Sequence, residues 1–503
     1  MAGRTTFGPF TLDRVRKRLT RDGQAVPISH RGYVVLEALL DADGAPVSKD
    51  ALMARAWPDM MIEDGNLTVL VSTIRRQLGE DADAMIVTVP RVGYRLVAQA
   101  DAAGRKEPAG PPLIAVLPFA NHGSLAEDGY FADGVVDDII TALSRFKSFA
   151  VMSRGSTFAL REKGADARTA AREFGIRYAL EGSIRRMGDR LRVTAQLLDA
   201  ASNTPLWADR YDGALADVFT FQDRITESVV GVIEPTIRRA EIERARRKPA
   251  SNVDAYDLYL KALPMVYAPG PERHAEAVEL LNRAAQLDPG FALPRVYAAM
   301  VYEARMSLRV PPLGNRDKEA CLELARSALA LGGTDPLVRA LCAFLLFRVG
   351  NDASALEGLR AAVRDNPNNV LILTAAADGV GVHGCLEESI GYHERAYALS
   401  PGSNEAYWNL FGLGASHFTL GNYETAIEWC LKSLGTFNDL IYSYICLACS
   451  YAALDRVDEA HAMIRRVREL NPALTIKLIQ DGVQDPFAVA VIPWLRKAGL
   501  PER

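Results

Sequence analysis

From about residue 253 onward the chain reads as helix after helix, and the pattern repeats with a period near 34 residues. Pro367, Pro401 and Pro472 sit at the ends of units, each preceded by Asn or Ser; Pro367 to Pro401 is 34 residues and Pro401 to Pro472 is 71, close to two periods. This repetition is a severe constraint. A single helix pair of this size cannot bury its apolar face alone, so the pairs must stack into an extended array. The clearest unit is YWNLFGLGASHFTLGNYETAIEWCLKSLG, with Gly414 and Ala426 where two helices touch closely and Gly421-Asn422 at the turn. The next unit repeats this with Ala448, Tyr451, Ala460 and Pro472. Earlier units carry Ala277, Ala284 and Pro289, then Ala343, Gly350, Ala355, Ala362 and Pro367. About six units are expected, the second irregular around Pro311-Pro312.

This placing of small residues resembles the tetratricopeptide repeat. The resemblance implies an all-α superhelix over residues 253–503 whose groove holds a protein or peptide partner. The plainer possibility is a spacer or a dimerisation scaffold.

The other end of the chain follows different periods. Residues 7–28 alternate like short strands, with a turn signal at Asp22-Gly23. From Arg31 the period becomes helical through Tyr33, Leu36, Leu39 and Leu40, until Gly44 and Pro46 stop it. Ser48 stands at an N-cap position before KDALMARAW, which ends at Trp57-Pro58. Asp64 or Asn66 can then cap a third helix, NLTVLVSTIRRQLG. Leu67, Leu70, Ile74 and Leu78 fall on one face of it. Thr68, Ser72, Arg75 and Arg76 fall away from that face, with Val69 near its edge. An apolar back with hydroxyls and guanidiniums in front suits a DNA major groove, where Arg reads guanine and Thr or Ser meets bases or phosphates. MIVTV, Pro90-Arg91-Val92 and GYRLV complete a hairpin with Arg91 at its tip.

The order of these segments, RGYVVLEALL, VSKDALMARAWPD, EDGNLTVLVSTIRRQLGE and IVTVPRVGYRLVA, resembles the OmpR/PhoB-type DNA-binding domain over residues 7–97. The resemblance implies an α+β winged helix at 1–99, with 66–78 as recognition helix and 85–97 as wing. It also implies double-stranded DNA as partner, bound at direct repeats as a homodimer. Such domains usually follow a phosphoacceptor receiver, and none precedes this one, so control independent of a phosphorelay is expected.

ADAAGRKEPAGPP, residues 100–112, reads as a polar linker. Beyond it, LIAVLPF is a buried-strand signal and GYFADGVVDDIITALSRF an amphipathic helix with Val135, Ile139, Ile140 and Leu143 on one side. FAVMSR is a strand, Ala167–Phe174 a helix ended by Gly175, and RYALEGSIRRMGDRLRVTAQLLD a hairpin turning near Gly188-Asp189. A long helix follows, DVFTFQDRITESVVGVIEPTIRRAEIERARR. This βαβαββα order gives an α/β or α+β domain over 113–248. Its phrases IAVLPFAN, YFADGVVDDIITALSRF and LWADRYD resemble the TolB-N-terminal-like module of bacterial multidomain regulators, which implies no catalytic residues.

The remaining signals are negative. Net charge is only −4, so any DNA contact must come from a local basic surface. Gly379, Gly381 and Gly384 spell G-x-G-x-x-G, but no parallel strand precedes them and they fall inside a repeat, so dinucleotide binding is rejected. Asp133, Asp137 and Asp138 invite a metal, yet a solvated helical turn explains them as well. Cys446 and Cys449 form a C-x-x-C with no second pair or spaced histidine, and read as small residues on a packed helix. No catalytic, cofactor-binding or metal-binding residues are therefore expected. With no signal peptide and no apolar run of membrane length, a cytoplasmic transcriptional regulator is expected, controlled by ligand or protein partners of the domains behind the winged helix. The alternative is a signalling scaffold that uses the repeat array, its winged helix turned to protein binding.

Overall fold

A computed structural model gives residues 4–7, 10–21, 24–42, 44–58, 64–78, 85–89, 92–96, 110–122, 126–162, 174–214, 217–248, 252–266, 271–308, 310–401, 406–481 and 485–503. They fall into two units, 1–109 and 110–503.

The first unit opens with four short strands, β1 (Arg4–Phe7), β2 (Phe10–Asp13), β3 (Arg18–Arg21) and β4 (Gln24–Val26), in one antiparallel sheet in chain order. Phe7, Phe10, Leu12 and Leu19 are fully buried on its inner face. The turn expected at Asp22-Gly23 lies outside the described residues. Helix α1 (His30–Asp41) starts where the Ser29 hydroxyl accepts from the Gly32 N–H. A two-residue strand β5 (Val47–Ser48) leads into α2 (Lys49–Ala56). Ser48 caps it as its position predicts, accepting from Ala51 N at 3.2 Å. Helix α3 (Asp64–Leu78) and the hairpin β6 (Ile86–Val89) and β7 (Gly93–Leu96) complete the unit, with sheet order β5-β7-β6. Glycine is required at 93, because a Cβ there would lie 2.1 Å from the Val47 carbonyl oxygen of the paired strand. This is a winged helix: three helices over one core, flanked by a small sheet and a hairpin.

The second unit begins with a sheet of order β10-β8-β11-β12-β13. Its strands are β8 (Leu113–Val116), β10 (Ala150–Val151), β11 (Tyr178–Met187), β12 (Arg190–Asp199) and β13 (Thr204–Ala214); β9 (Ala120–Asn121) pairs beside β11. The first half is parallel, as the crossover helices α4 (Ala126–Leu143) and α5 (Arg154–Glu162) demand. The second half is an antiparallel meander. Val135, Ile139 and Leu143 of α4 are buried as their spacing predicts. Two features depart from the sequence expectation. β13 is an eleven-residue strand that the alternation did not disclose, and α5 adds a helix after β10. Of the helix expected over Ala167–Phe174, residues 167–173 lie outside the described residues. Helix α6 (Val218–Arg247) then packs across α4 and β13.

Six helix pairs follow among the described residues. They are α7 (Ala255–Val266) with α8 (His274–Leu287), α9 (Leu293–Leu308) with α10 (Asp317–Gly332), and α11 (Pro336–Gly350) with α12 (Ala355–Asp365). Then come α13 (Val370–Val382) with α14 (Leu386–Leu399), α15 (Ala406–Thr419) with α16 (Tyr423–Thr436), and α17 (Ile441–Ala453) with α18 (Val457–Leu470). A short α19 (Ile476–Gln480) and α20 (Pro486–Lys497) end the chain. The first helices of successive pairs touch one another and form the inner layer. Close approach is built in by small residues: a Cβ on Gly414 would stand 2.4 Å from Cys430 Sγ. The rejected glycine motif has the same explanation. Cβ atoms on Gly379 and Gly381 would meet Leu359 at 2.3 Å and Ser389 at 2.9 Å, while Gly384 takes a left-handed turn at φ +90°.

The sheet domain and the repeats share one unit rather than meeting through a linker. α6 packs against α7, and Gly231 on α6 faces the Leu399 carbonyl, which a Cβ would approach to 2.8 Å. Near the junction Glu241 is 1% exposed. It accepts from Tyr178 Oη at 2.6 Å and Arg177 Nη1 at 2.5 Å, with Arg244 Nε 3.5 Å away. Lys248 and Asp257 pair at 2.8 Å across the boundary between α6 and α7.

Candidate nucleic-acid interface

The expected recognition helix has two chemically distinct faces. Leu67, Val71, Ile74 and Leu78 are buried in the core of the first unit, and Leu70 is partly buried. Asn66, Thr68, Val69, Ser72 and Arg76 are exposed. The inward set therefore holds, with Val71 added to it. On the outward face, Val69, which periodicity placed only at the edge, stands at 67% exposure among the polar groups. An apolar side chain in such a row suits a thymine methyl group.

The four sequence-predicted polar residues of α3 do not all project alike. Ser72 and Arg76 point outward. Thr68 is exposed, with its hydroxyl 3.4 Å from that of Tyr94 on β7. Arg75 is different. Its guanidinium turns back onto β6, donating to the Ile86 carbonyl from Nε at 3.1 Å and from Nη2 at 2.5 Å, and to Thr88 Oγ1 at 3.1 Å. A guanidinium engaged by two acceptors of the hairpin ties α3 to β6. Helical spacing put Arg75 on the outward face with Thr68, Ser72 and Arg76; its guanidinium instead lies against the hairpin. Helical spacing could not show this, because the acceptors come from a strand eleven and thirteen residues later. Arg91, expected at the wing tip, lies outside the described residues; Val92 beside it is 45% exposed.

Supporting contacts hold this surface from behind. Asp41 at the end of α1 bridges Arg14 at 2.7 Å and Arg55 at 3.1 Å, tying the first sheet to α2. Arg31 lies over the Trp57 ring at 5.5 Å.

In the second unit, the acidic and thiol groups singled out by the sequence are paired or buried. Asp137 pairs with Arg154, and Asp138 accepts from the Gln222 amide. Burial, together with Asp133 and Asp138 nearby, raises the Asp137 carboxyl above its usual range, against the pull of Arg154. Among the described residues no group of three or more His, Cys, Asp or Glu could hold a metal. Cys446 and Cys449 are fully buried on α17, and burial pushes the Cys449 thiol far above its usual value, which keeps it from acting as a thiolate. No helix among the described residues is long and apolar enough to cross a membrane.

Residues 23–96 match the family described as transcriptional regulatory protein, C terminal. The N-terminal domain is of the OmpR/PhoB type. Residues 111–228 match the second domain of HilA/YgeH-like transcriptional regulators, and residues 383–467 match the family of anaphase-promoting complex, cyclosome, subunit 3, a helical-repeat family. The winged helix is 41% identical over 86 residues to the transcriptional regulatory protein CutR of Streptomyces coelicolor, 17% of this chain and 39% of that one. The transcriptional regulator HilA of Salmonella typhimurium is 30% identical over 149 residues, 29% of this chain and 26% of that one. A putative adenylate cyclase 3 of Rhizobium meliloti is 35% identical over 225 residues, 45% of this chain and 38% of that one. The chain thus spans well under half the length of each of these relatives. Its domains are those of transcriptional regulators of the OmpR/PhoB and HilA-like kinds, followed by a tetratricopeptide-like helical array.

Proposed function

We propose that this chain is a cytoplasmic, non-enzymatic transcriptional regulator that lays α3 in the major groove of double-stranded DNA. The observation that carries this is the exposed row Asn66, Thr68, Val69, Ser72 and Arg76, set on a helix whose other face is fully committed to the core. Arg76 and Ser72 supply donors to bases or phosphates, and Val69 supplies an apolar contact. Arg75 holds the wing, and the hairpin segment carrying Arg91 meets the flanking backbone. Two copies bind adjacent half-sites as a homodimer, gaining affinity through effective concentration. The helical array takes a protein or peptide partner that controls the reader.

The test is genome-wide mapping of DNA bound by the full chain, followed by titration of a recovered site. Binding is expected to fall linearly in log–log plots against salt, with a slope of roughly −0.9 for each phosphate neutralised. A Thr68→Ala/Ser72→Ala/Arg76→Ala chain is expected to lose that binding while melting as the parent does. An empty map would sink the reading and favour the scaffold role.

A further inference from the structure

Capping the helical array needs only a helix laid over the sixth pair, and α20 does lie on α17. Its N-terminal corner does something further. Asp485 caps α20, with Oδ1 accepting from Ala488 N at 2.7 Å. Its Oδ2 meets Arg348 Nη1 at 3.4 Å, and Arg348 belongs to α11, the first helix of the third pair. The contact therefore crosses the inner layer three pairs back. Arg348 is held from its other side by Glu303, Nε to Oε1 at 2.7 Å, and by Ser307 at 3.2 Å. The charged side chains Glu303, Arg348 and Asp485 are only 14–16% exposed. Two residues after Asp485, the Phe487 ring stands edge-on to Phe411 and to Phe418, each at 5.8 Å. So the corner fills a charged socket and an aromatic socket side by side. Removing the carboxylate would leave the Arg348 guanidinium short of one partner in a poorly solvated place, a costly state that another carboxylate relieves.

We propose that this inner groove is a receptor for a peptide carrying a carboxylate followed two residues later by an aromatic ring, and that the 485–487 corner of α20 occupies it in cis. Arg348 is the carboxylate receptor, and Phe411 with Phe418 receives the ring. The closed corner lowers the apparent affinity for any such partner by the fraction of chains that are open. This deepens the partner control proposed above by naming the partner's chemistry. It is tested without DNA, so its failure is separate from failure of the DNA reading.

The experiment uses the full chain and a fluorescein-labelled peptide with the sequence of residues 485–492, read by fluorescence anisotropy. An opened chain, Asp485→Ala/Phe487→Ala, is expected to bind the peptide roughly tenfold or more tightly than the parent. Adding Arg348→Gln to the opened chain is expected to abolish that gain, and Arg348→Lys to restore part of it. Circular dichroism melts check that each variant is folded; if the double change unfolds the array, Asp485→Asn replaces it. A folded, opened chain that binds no better than the parent overturns the proposal. So does a gain indifferent to Arg348. A parent chain that runs as a dimer dissociated by the Asp485 and Phe487 changes also overturns it, because the occupant would then be a second copy.

Discussion

Arg75 and Arg76 are adjacent in sequence and differ in what their guanidiniums touch. Arg76 faces outward, and Arg75 is bonded to the Ile86 carbonyl and Thr88. The two should therefore separate cleanly on substitution. Arg76→Ala is expected to weaken operator binding by about 1–3 kcal/mol if it reads a base, leaving the melting temperature unchanged. Arg75→Ala is expected to cost about 1–2 kcal/mol of stability, after discounting for its partial exposure, and to weaken binding to all sequences alike. Parallel melts and binding titrations of the two variants check this. A second residue-scale consequence concerns His274, 1% exposed, whose ring nitrogens find no hydrogen-bond partner among the described residues. Burial, with Arg305 nearby, pushes its pKa below the ordinary value. Below about pH 6.5 the unfolded chain takes up a proton that the folded one refuses, so stability is complete above that pH and falls as pH drops through it. His274→Leu is expected to flatten the pH dependence of the melting temperature between about pH 5 and 7, where the parent's should slope.

At the scale of elements, glycine positions set how closely backbones approach. Gly93→Ala would drive a Cβ into the Val47 carbonyl and part β5 from β7. A loss of about 3 kcal/mol is expected, read by chemical denaturation, with wing amides losing hydrogen-exchange protection first. Gly414→Ala would press on Cys430 and cost about 1–3 kcal/mol; adding Cys430→Ala should return part of it. These elements were legible in the sequence because each has a local signature. Ser48 announced α2, the helical period announced α3, and the 34-residue spacing of prolines announced the array. β13 was not legible. It is an edge strand whose side chains are mostly exposed, so it lacks the alternation that burial on one face imposes. The bonds of Arg75 to the hairpin were not legible for a related reason: a helical wheel knows the helix, not the strand that later supplies its acceptors.

At the scale of the whole molecule, the sequence separates a sheet domain at 113–248 from an array beginning at 253, while the fold joins them around Glu241. Tyr178 and Arg177 at the start of β11 and Arg244 on α6 gather there, and the Lys248–Asp257 pair spans the boundary between α6 and α7. Glu241→Ala would take the carboxylate from the buried Arg177 guanidinium and the Tyr178 hydroxyl, at a cost of about 3–5 kcal/mol. Hydrogen exchange is expected to show β11 and α7 losing protection together; loss confined to one side would mean the junction carries little of the stability. The junction also bears on inheritance. A recombination breakpoint near residue 250 would look harmless in an alignment, since it falls between two recognisable modules. Yet it would hand one descendant Lys248 and the other Asp257, each shorn of its counterpart, and would part α6 from α7. The sheet domain and the first repeat are thus expected to travel through evolution as a single heritable block.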